Sequence, residues 1–296
     1  MPTRTDHTAS APTFDLQSHS LHSDGALDPQ RVVEAAFQAG VRLLALTDHD
    51  TIEGVPEAVS AAASLTLEVV PAVEISAIGG AEGDFHVLGY LVDPGNEDLL
   101  GALTRFRCDR DRRARAIAES LESLGFALDW SPLQRRLDAG KPIGRPHLAQ
   151  AVVSHPDNTR RLEQEYRVSA SAFLEAYLAE GKPAFTPRLT PSVPEAIETI
   201  HAAGGVAVWA HPFWGLSSPE AVLRAVEAFS AQGVDGLECF YPTHTRAQTE
   251  LLYDRCTALG LLATGSSDFH GPAHSIFSRF RAFSTYGHRP LLGPLA

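Results

Sequence analysis

The sequence predicts an α/β fold built on a parallel sheet or barrel and interrupted by a helical insertion. Three observations carry that reading. Short apolar runs alternate with helix-patterned segments over most of the chain. The alternation stops over residues 96–181, where helical periodicity continues without strand signals. Histidine and carboxylate motifs close most of the apolar runs. Alternating βα units argue for parallel strands with crossover helices, and in barrels of that kind the chemistry gathers at the C-terminal ends of the strands.

Each element follows in order. Phe14-Asp15-Leu16 is a short first strand. Residues 28–39 read as a helix, because Pro29 suits a first helical turn and Gly40 a stop. Residues 41–46 form a buried-strand run and 57–64 an Ala-rich helix. A strand over 67–73 and another over 85–92 flank a turn-like stretch at 79–83. His86 opens its run instead of closing it; an antiparallel hairpin would bring it back beside Glu74. Helical patterns then cover 105–122, 133–139, 147–153 and 170–178. Beyond them the alternation resumes: helix 193–202, strand 205–209, helix 220–231, strand 234–239, helix 245–259 and strand 261–265. The expected plan is a flexible tail at 1–12, a barrel from 13–98 and 183–296, and a helical subdomain at 99–182 capping the substrate site.

Composition sets limits on function. A chain of 296 residues, 44% of them hydrophobic, suits one large barrel or two ordinary domains. Lys and Arg number 24 against 36 Asp and Glu, so the net charge is 24 − 36 = −12. An acidic chain argues against a duplex-DNA partner, which needs a basic face. It is compatible with an anionic substrate, since bound metal ions can dominate the local charge. The three cysteines, Cys108, Cys239 and Cys256, form no CxxC pair and no disulfide framework. The N-terminal dozen lacks an apolar core of the secretory type, and no apolar run approaches the ~18 residues of a membrane span. A cytoplasmic protein without a membrane partner is expected.

The motifs that carry chemistry are Gln17-Ser18-His19, Ser23-Asp24-Gly25, Thr47-Asp48-His49-Asp50, Val73-Glu74-Ile75, His86, Ala210-His211-Pro212 and Ser267-Asp268-Phe269-His270. Imidazoles and carboxylates gathered without a thiolate suit Mn, Fe or Zn. An ordered set of this kind is read as a multinuclear metallohydrolase. By contrast, His7, His22, His155, His201 and His288 are isolated and read as structural or surface residues. Asp24 doubles as a turn residue before Gly25. Asp48 is expected to orient His49 from behind, and Asp50 to begin the next helix. Of Trp209, Phe213, Trp214, Phe240 and Tyr241, which flank strand ends, most are expected to pack, with one available for stacking on a base.

Taken together and in order, these strings, with Gly144-Arg145-Pro146-His147 and Gly181-Lys182-Pro183-Ala184, resemble the PHP (polymerase and histidinol phosphatase) family. The resemblance runs from Asp15 to about Gly293. It is to the stand-alone bacterial branch that includes nucleoside 3′,5′-bisphosphate phosphatases and short-RNA 5′-exonucleases. It implies a distorted (β/α)7 PHP barrel with an inserted helical subdomain, holding two to three divalent metal ions (Mn, Fe or Zn). By position, Gln17, His19, Glu74 and Asp268 would hold a first metal. Glu74 would bridge to a second, with His86 and His211. Asp24, His49 and His270 would hold a third.

One position departs from the pattern. The family's first motif reads His-x-His, and here Gln17 offers a neutral amide oxygen, so that metal is expected to bind more loosely or through water. The implied reaction is hydrolysis of a phosphomonoester, since paired metals ~3.5–4 Å apart clamp a phosphate and supply hydroxide near neutral pH. Arg145 and Lys182 are the expected phosphate-binding residues. His147 or His244 is the expected proton donor to the leaving oxygen, and Asp268 is counted with the catalytic residues. The expected partner is a small phosphorylated substrate, a nucleotide or very short RNA, with no oligomeric state implied. The best substrate is the 3′-phosphate of a nucleoside 3′,5′-bisphosphate. Histidinol phosphate is the alternative, and a catalytically inactive metal- or nucleotide-binding module is the reading from another class.

Overall fold

The computed structural model describes residues 12–79, 84–138 and 143–296. Most of the expected N-terminal tail, most of the 79–83 turn and the end of the 133–139 helix lie outside the described residues. Contacts divide the chain into two units. One holds the chain up to Leu100 together with Pro191–Ala296; the other is Gly101–Thr190.

The first unit carries a seven-stranded sheet in sequence order. Strands β1 (Phe14–Asp15), β2 (Leu43–Leu46) and β3 (Glu68–Ile78) pair in parallel. β4 (Asp84–Tyr90) runs antiparallel to β3 and to β5 (Val206–Trp209). β5, β6 (Gly236–Phe240) and β7 (Leu262–Gly265) are parallel again. Two hydrogen bonds from the chain after β1 to the chain after β7, Leu16 N to Gly265 O (3.2 Å) and His19 N to Phe269 O (2.8 Å), nearly close the barrel.

The hairpin expected from the placement of His86 is present. β3 nevertheless runs to Ile78, five residues past the expected end at Val73. Glu74 and Ser76 are polar, which reads as the end of a strand, yet both are buried and the ladder continues to Ile78 opposite Asp84.

Five helices follow the expected amphipathic pattern: α1 (Pro29–Gln38), α2 (Val55–Ala62), α8 (Val193–Ala202), α10 (Pro219–Ala231) and α11 (Arg246–Leu259). Side-chain caps start four of them, from Asp28, Ser192, Ser218 and Thr245, each satisfying an orphan backbone N–H. A short helix, α9 (Pro212–Gly215), follows His211 directly and was not legible in the sequence. Among the described residues, no helix is long and apolar enough to cross a membrane.

The second unit is helical. α3 (Glu97–Ser123) is 27 residues long and starts eight residues before the expected Arg105. Asn96 Oδ1 accepts from Leu99 N at 2.8 Å, a cap that Gly101 masks in the sequence pattern. α4 (Trp130–Asp138), α5 (Arg145–Val153), α6 (Thr159–Gln164) and α7 (Ala170–Phe173) follow, and a π-helical turn over Leu174–Leu178 continues α7. Their apolar faces share one core, with Leu121, Phe126, Leu148, Val152, Phe173 and Leu178 among its members.

This unit reaches Thr190, beyond the expected boundary at 182. Arg113 Nε donates to Thr186 O at 2.8 Å, and Asp109 Oδ2 accepts from Leu189 N (3.0 Å) and Thr190 N (3.4 Å). Asp109 Oδ1 also accepts from Arg112. Burial raises the Asp109 carboxyl, but the Leu189 amide and Arg112 outweigh it and hold the pKa below its ordinary value. A depressed pKa stabilises the fold above the unfolded value, and that contribution is lost as the pH falls through the folded value. In denaturant unfolding at pH 7, Asp109→Ala is expected to lose about 1–3 kcal/mol. The gap from wild type should narrow as the acid range is entered; a gap independent of pH would remove the ionised carboxylate as the cause.

Candidate metal centre

Glu74 is the middle of the site. It sits in β3, fully buried, and both carboxylate oxygens are occupied by facing side chains. Oε1 lies 2.6 Å from His86 Nδ1 and 3.3 Å from His211 Nε2. Oε2 lies 2.9 Å from Gln17 Nε2, 3.1 Å from His19 Nε2 and 3.6 Å from His49 Nδ1. The two oxygens thus face two different sets of donors, as a bridging carboxylate would.

Around this residue three groups of donor atoms fall within 4.8 Å of one another: His19 with Glu74 and Asp268, His49 with Glu74 and His86, and His19, Asp24, His49 and His270 together. His19 Nε2 is 3.0 Å from Asp268 Oδ1. His270 Nε2 is 3.4 Å from Asp24 Oδ1, and His49 Nε2 is 3.6 Å from Asp24 Oδ2. The structure therefore gathers Gln17, His19, Asp24, His49, Glu74, His86, His211, Asp268 and His270 around shared carboxylates. His19 and His49 each belong to two groups, one more connection apiece than the sequence assignment gave them.

Local backbone geometry aims these side chains. His211 (φ 32°) and Asp268 (φ 52°) both take positive φ in the segments that follow β5 and β7, a conformation that costs ~1–3 kcal/mol and persists only when the surroundings enforce it. The N–H of His211 donates to Glu238 Oε2 at 2.8 Å. Asp15 Oδ1 accepts from Ser267 N at 2.8 Å, beside Asp268. Tyr241 Oη donates to Asp268 Oδ2 at 2.7 Å. His270 Nδ1 donates to Asp268 O at 2.7 Å, which turns Nε2 toward Asp24 Oδ1, 3.4 Å away. A ligand histidine is commonly oriented this way, through its other nitrogen.

Glu238 and Asp15 were not expected to serve the site, and Tyr241, expected to pack or to stack on a base, instead donates to Asp268. The available signal was a charged residue inside an apolar strand run, which is uncommon unless it is partnered.

Two expectations are corrected. Asp48 does not orient His49: it accepts from Ser20 N (2.7 Å), Ser20 Oγ (2.6 Å) and Ser23 Oγ (2.6 Å). It fixes the loop that carries His19 and Asp24. Asp50 does not begin a helix, since α2 starts at Val55; it takes φ 52° and accepts from Ser76 N at 2.9 Å, tying the His49 loop to β3.

The electrostatics suit cations. Burial raises the pKa of Glu74, Asp24 and Asp268, yet the surrounding imidazoles outweigh it and keep all three carboxyls below their ordinary values. They are therefore ionised and available as ligands. Burial lowers His19, but its bonds to Asp268 and Glu74 raise it well above normal. Burial pushes His49 down to about 4, and its buried Nδ1 has no hydrogen-bond partner. A neutral imidazole nitrogen that no hydrogen bond engages is suited to a metal. With no thiolate in the set, the imidazole and carboxylate donors fit divalent metal ions.

The other residues singled out in the sequence are held as follows. His244 is buried. Its Nδ1 donates to Cys239 O at 3.1 Å, so its Nε2 carries a lone pair, and burial pushes its pKa down to about 4. His147 belongs to the second unit, where its Nδ1 accepts from Gly144 N at 3.0 Å and caps α5. Arg145 opens that same helix, and Lys182 lies in the turn after Ala179, to whose carbonyl its N–H donates.

A nearly closed barrel of parallel and antiparallel strands around a histidine–carboxylate centre has the architecture of a metal-dependent hydrolase. Comparison with known proteins gives the family. The PHP domain model matches residues 15–179. A 5′-3′ exoribonuclease of Haemophilus influenzae is 35% identical over 261 residues, 88% of this chain and 90% of that protein. A 3′,5′-nucleoside bisphosphate phosphatase of Chromobacterium violaceum is 33% identical over 259 residues, 88% of this chain and 87% of that protein. The solved structure of an amidohydrolase from Chromobacterium violaceum, with bound sulfate and no metal, matches with a TM-score of 0.72 at 30% identity, covering 90% of this chain and 94% of that one. The chain belongs to the PHP family of metal-dependent phosphoesterases.

Asp48 offers a test of the centre that touches none of the facing donors. Asp48→Ala frees the Ser20–Ser23 loop, and metal affinity is expected to fall about 10–100-fold, as for loss of an outer-shell partner. Titration of metal-free protein with Mn²⁺ measures it; an unchanged affinity would mean that the loop is held by other contacts.

Proposed function

We propose that this phosphoesterase removes the 3′-phosphate of a nucleoside 3′,5′-bisphosphate, with 5′-to-3′ trimming of very short RNA as a related activity of the same site. The observation that carries the reading is Glu74, whose two buried oxygens face separate sets of imidazoles. The substrate class is supported by the relatives, one a nucleoside bisphosphate phosphatase and another an exoribonuclease. Bound divalent metals would supply Lewis acidity and water ionised near neutral pH. His19, Asp24, His49, Glu74, His86, His211, Asp268 and His270 would hold them. Arg145 and Lys182 are the proposed phosphate-binding residues: a guanidinium grips phosphate through paired hydrogen bonds, and an ammonium adds a point charge.

The activity is tested by phosphate release from Mn²⁺-loaded protein. The panel holds a nucleoside 3′,5′-bisphosphate, a 3′-monophosphate, a 5′-monophosphate, histidinol phosphate and a 5′-phosphorylated short RNA. Selective release from the bisphosphate, abolished in His211→Ala, is expected. Preference for histidinol phosphate would move the enzyme to the other branch, and no release from any member by metal-loaded protein would overturn the reading.

Trp214 supports a substrate bearing a base. Of the aromatics flanking the strand ends, Trp209, Phe240 and Tyr241 are buried, whereas Trp214 is 54% exposed. It sits three residues after His211, with ring centroids 6.5 Å apart, and is backed by Tyr241 and Phe277. A base stacked on an aromatic ring gains ~1–3 kcal/mol. Trp214→Ala is therefore expected to raise KM for the nucleoside bisphosphate roughly tenfold, with kcat and the KM for a base-free sugar phosphate unchanged. An equal rise for both substrates would show that the indole does not contact the base.

A further inference from the structure

Gln17 occupies the position where a ligand is expected, and its surroundings give it a different task. The side chain is fully buried. Its Nε2 donates to Glu74 Oε2 at 2.9 Å, and its Oε1 accepts from Ser266 Oγ at 3.2 Å. Ser266 Oγ lies 2.5 Å from Glu238 Oε1, and Glu238 Oε2 accepts the backbone N–H of His211 at 2.8 Å. Gln17, Ser266 and Glu238 thus form a buried chain with Glu74 at one end and the positive-φ turn at His211 at the other.

Glu74, which can only accept, fixes which end of the amide faces the centre, while the Ser266 hydroxyl can meet either end. The reverse orientation would set Gln17 Oε1 2.9 Å from a carboxylate oxygen and turn the NH₂ group toward Ser266. An amide nitrogen has no lone pair to give a metal, because it is delocalised into the carbonyl. The group facing Glu74 is therefore a hydrogen-bond donor.

We propose that Gln17 is a positioning residue and not a metal ligand. It holds Glu74 Oε2 in place and, through Ser266 and Glu238, couples that carboxylate to the turn that presents His211. Where the family pattern has a histidine, this chain keeps His19, Glu74 and Asp268 as the donors gathered in that group among the described residues.

The inference rests on the metal-centre reading but not on the substrate, and its test uses metal binding alone. Metal-free protein is titrated with Co²⁺, whose visible absorption reports coordination number and ligand type. Wild type is compared with Gln17→Leu, Gln17→His, Ser266→Ala and Asp268→Ala. Gln17→Leu is expected to bind as many ions as wild type with unchanged band positions, and with affinity weakened about tenfold, as for loss of an outer-shell partner. Ser266→Ala should weaken affinity in the same direction, with no further loss when combined with Gln17→Leu. Gln17→His should shift the bands by adding a ligand. Asp268→Ala should lose one ion and calibrates the loss of a ligand. If Gln17→Leu loses one ion or shifts the bands as Asp268→Ala does, Gln17 is a ligand and the proposal falls. Should Gln17→Leu fail to fold, Ser266→Ala decides alone: wild-type affinity overturns the coupling, and weakened affinity with unchanged bands supports it.

Discussion

A carboxylate with no solvent exposure organises the centre of this protein. Removing an ionised Glu74 from water costs several kcal/mol unless partners replace the lost hydration. Four imidazoles and one amide within 3.6 Å of its oxygens do so. Those partners come from the segments after β1, β2 and β5 and from β4, so one residue fixes where four parts of the barrel must meet. The same crowding of imidazoles around fixed carboxylates makes the place suited to divalent cations, which replace the mutual repulsion of protonated rings with shared coordination.

The strand ends that deliver these groups are not relaxed. His211, Asp50 and Asp268 each adopt positive φ, and each is secured by buried acceptors or donors that take no direct place among the facing ligand atoms. Asp48 pins the His19–Asp24 loop, Asp15 the segment before Asp268, and Glu238 the His211 turn. Burial pushes the pKa of Asp15 up to about 7 and of Glu238 to about 8, a measure of how dry this layer is. Rigidity behind the donors, more than the donors themselves, sets their spacing, because a loop free to relax would let opposite charges collapse on one another.

The second unit is organised by different forces. Its core is apolar and aromatic, with Phe126, Phe173 and Tyr177 stacked or edge-on within 5.1 Å. Arg161 covers the Phe126 ring at 3.8 Å while bonding to Glu165 and to the carbonyl of Leu124. Asp109 and Arg113 gather the 184–190 segment onto α3. The unit thus holds its own return strand of chain, which explains why its edge falls at Thr190 rather than where the helical pattern fades.

By itself the sequence determined the fold class, the alternation of strands and helices, and the residues that would converge. Period-2 and period-3.6 patterns with their caps are local properties, and an ordered set of His and carboxylate motifs is legible without coordinates. It also determined the hairpin, since His86 at the wrong end of a parallel strand leaves few other routes to Glu74. The tertiary structure decided what each polar residue does. Asp48 and Asp50 sit in the same motif as His49, yet both became loop anchors, because their partners, Ser20, Ser23 and Ser76, are more than twenty residues away. Glu238 looked like strand filler, and Tyr241 like a packing or base-stacking ring, until the fold set them against His211 and Asp268. The length of β3 and the start of α3 depended on pairing and capping that no single-residue pattern encodes. Which end of Gln17 faces Glu74 is fixed by the Glu74 carboxylate, 57 residues along the chain, which can only accept; orientation of an amide is a matter of neighbours, and neighbours at that distance exist only once the barrel has closed.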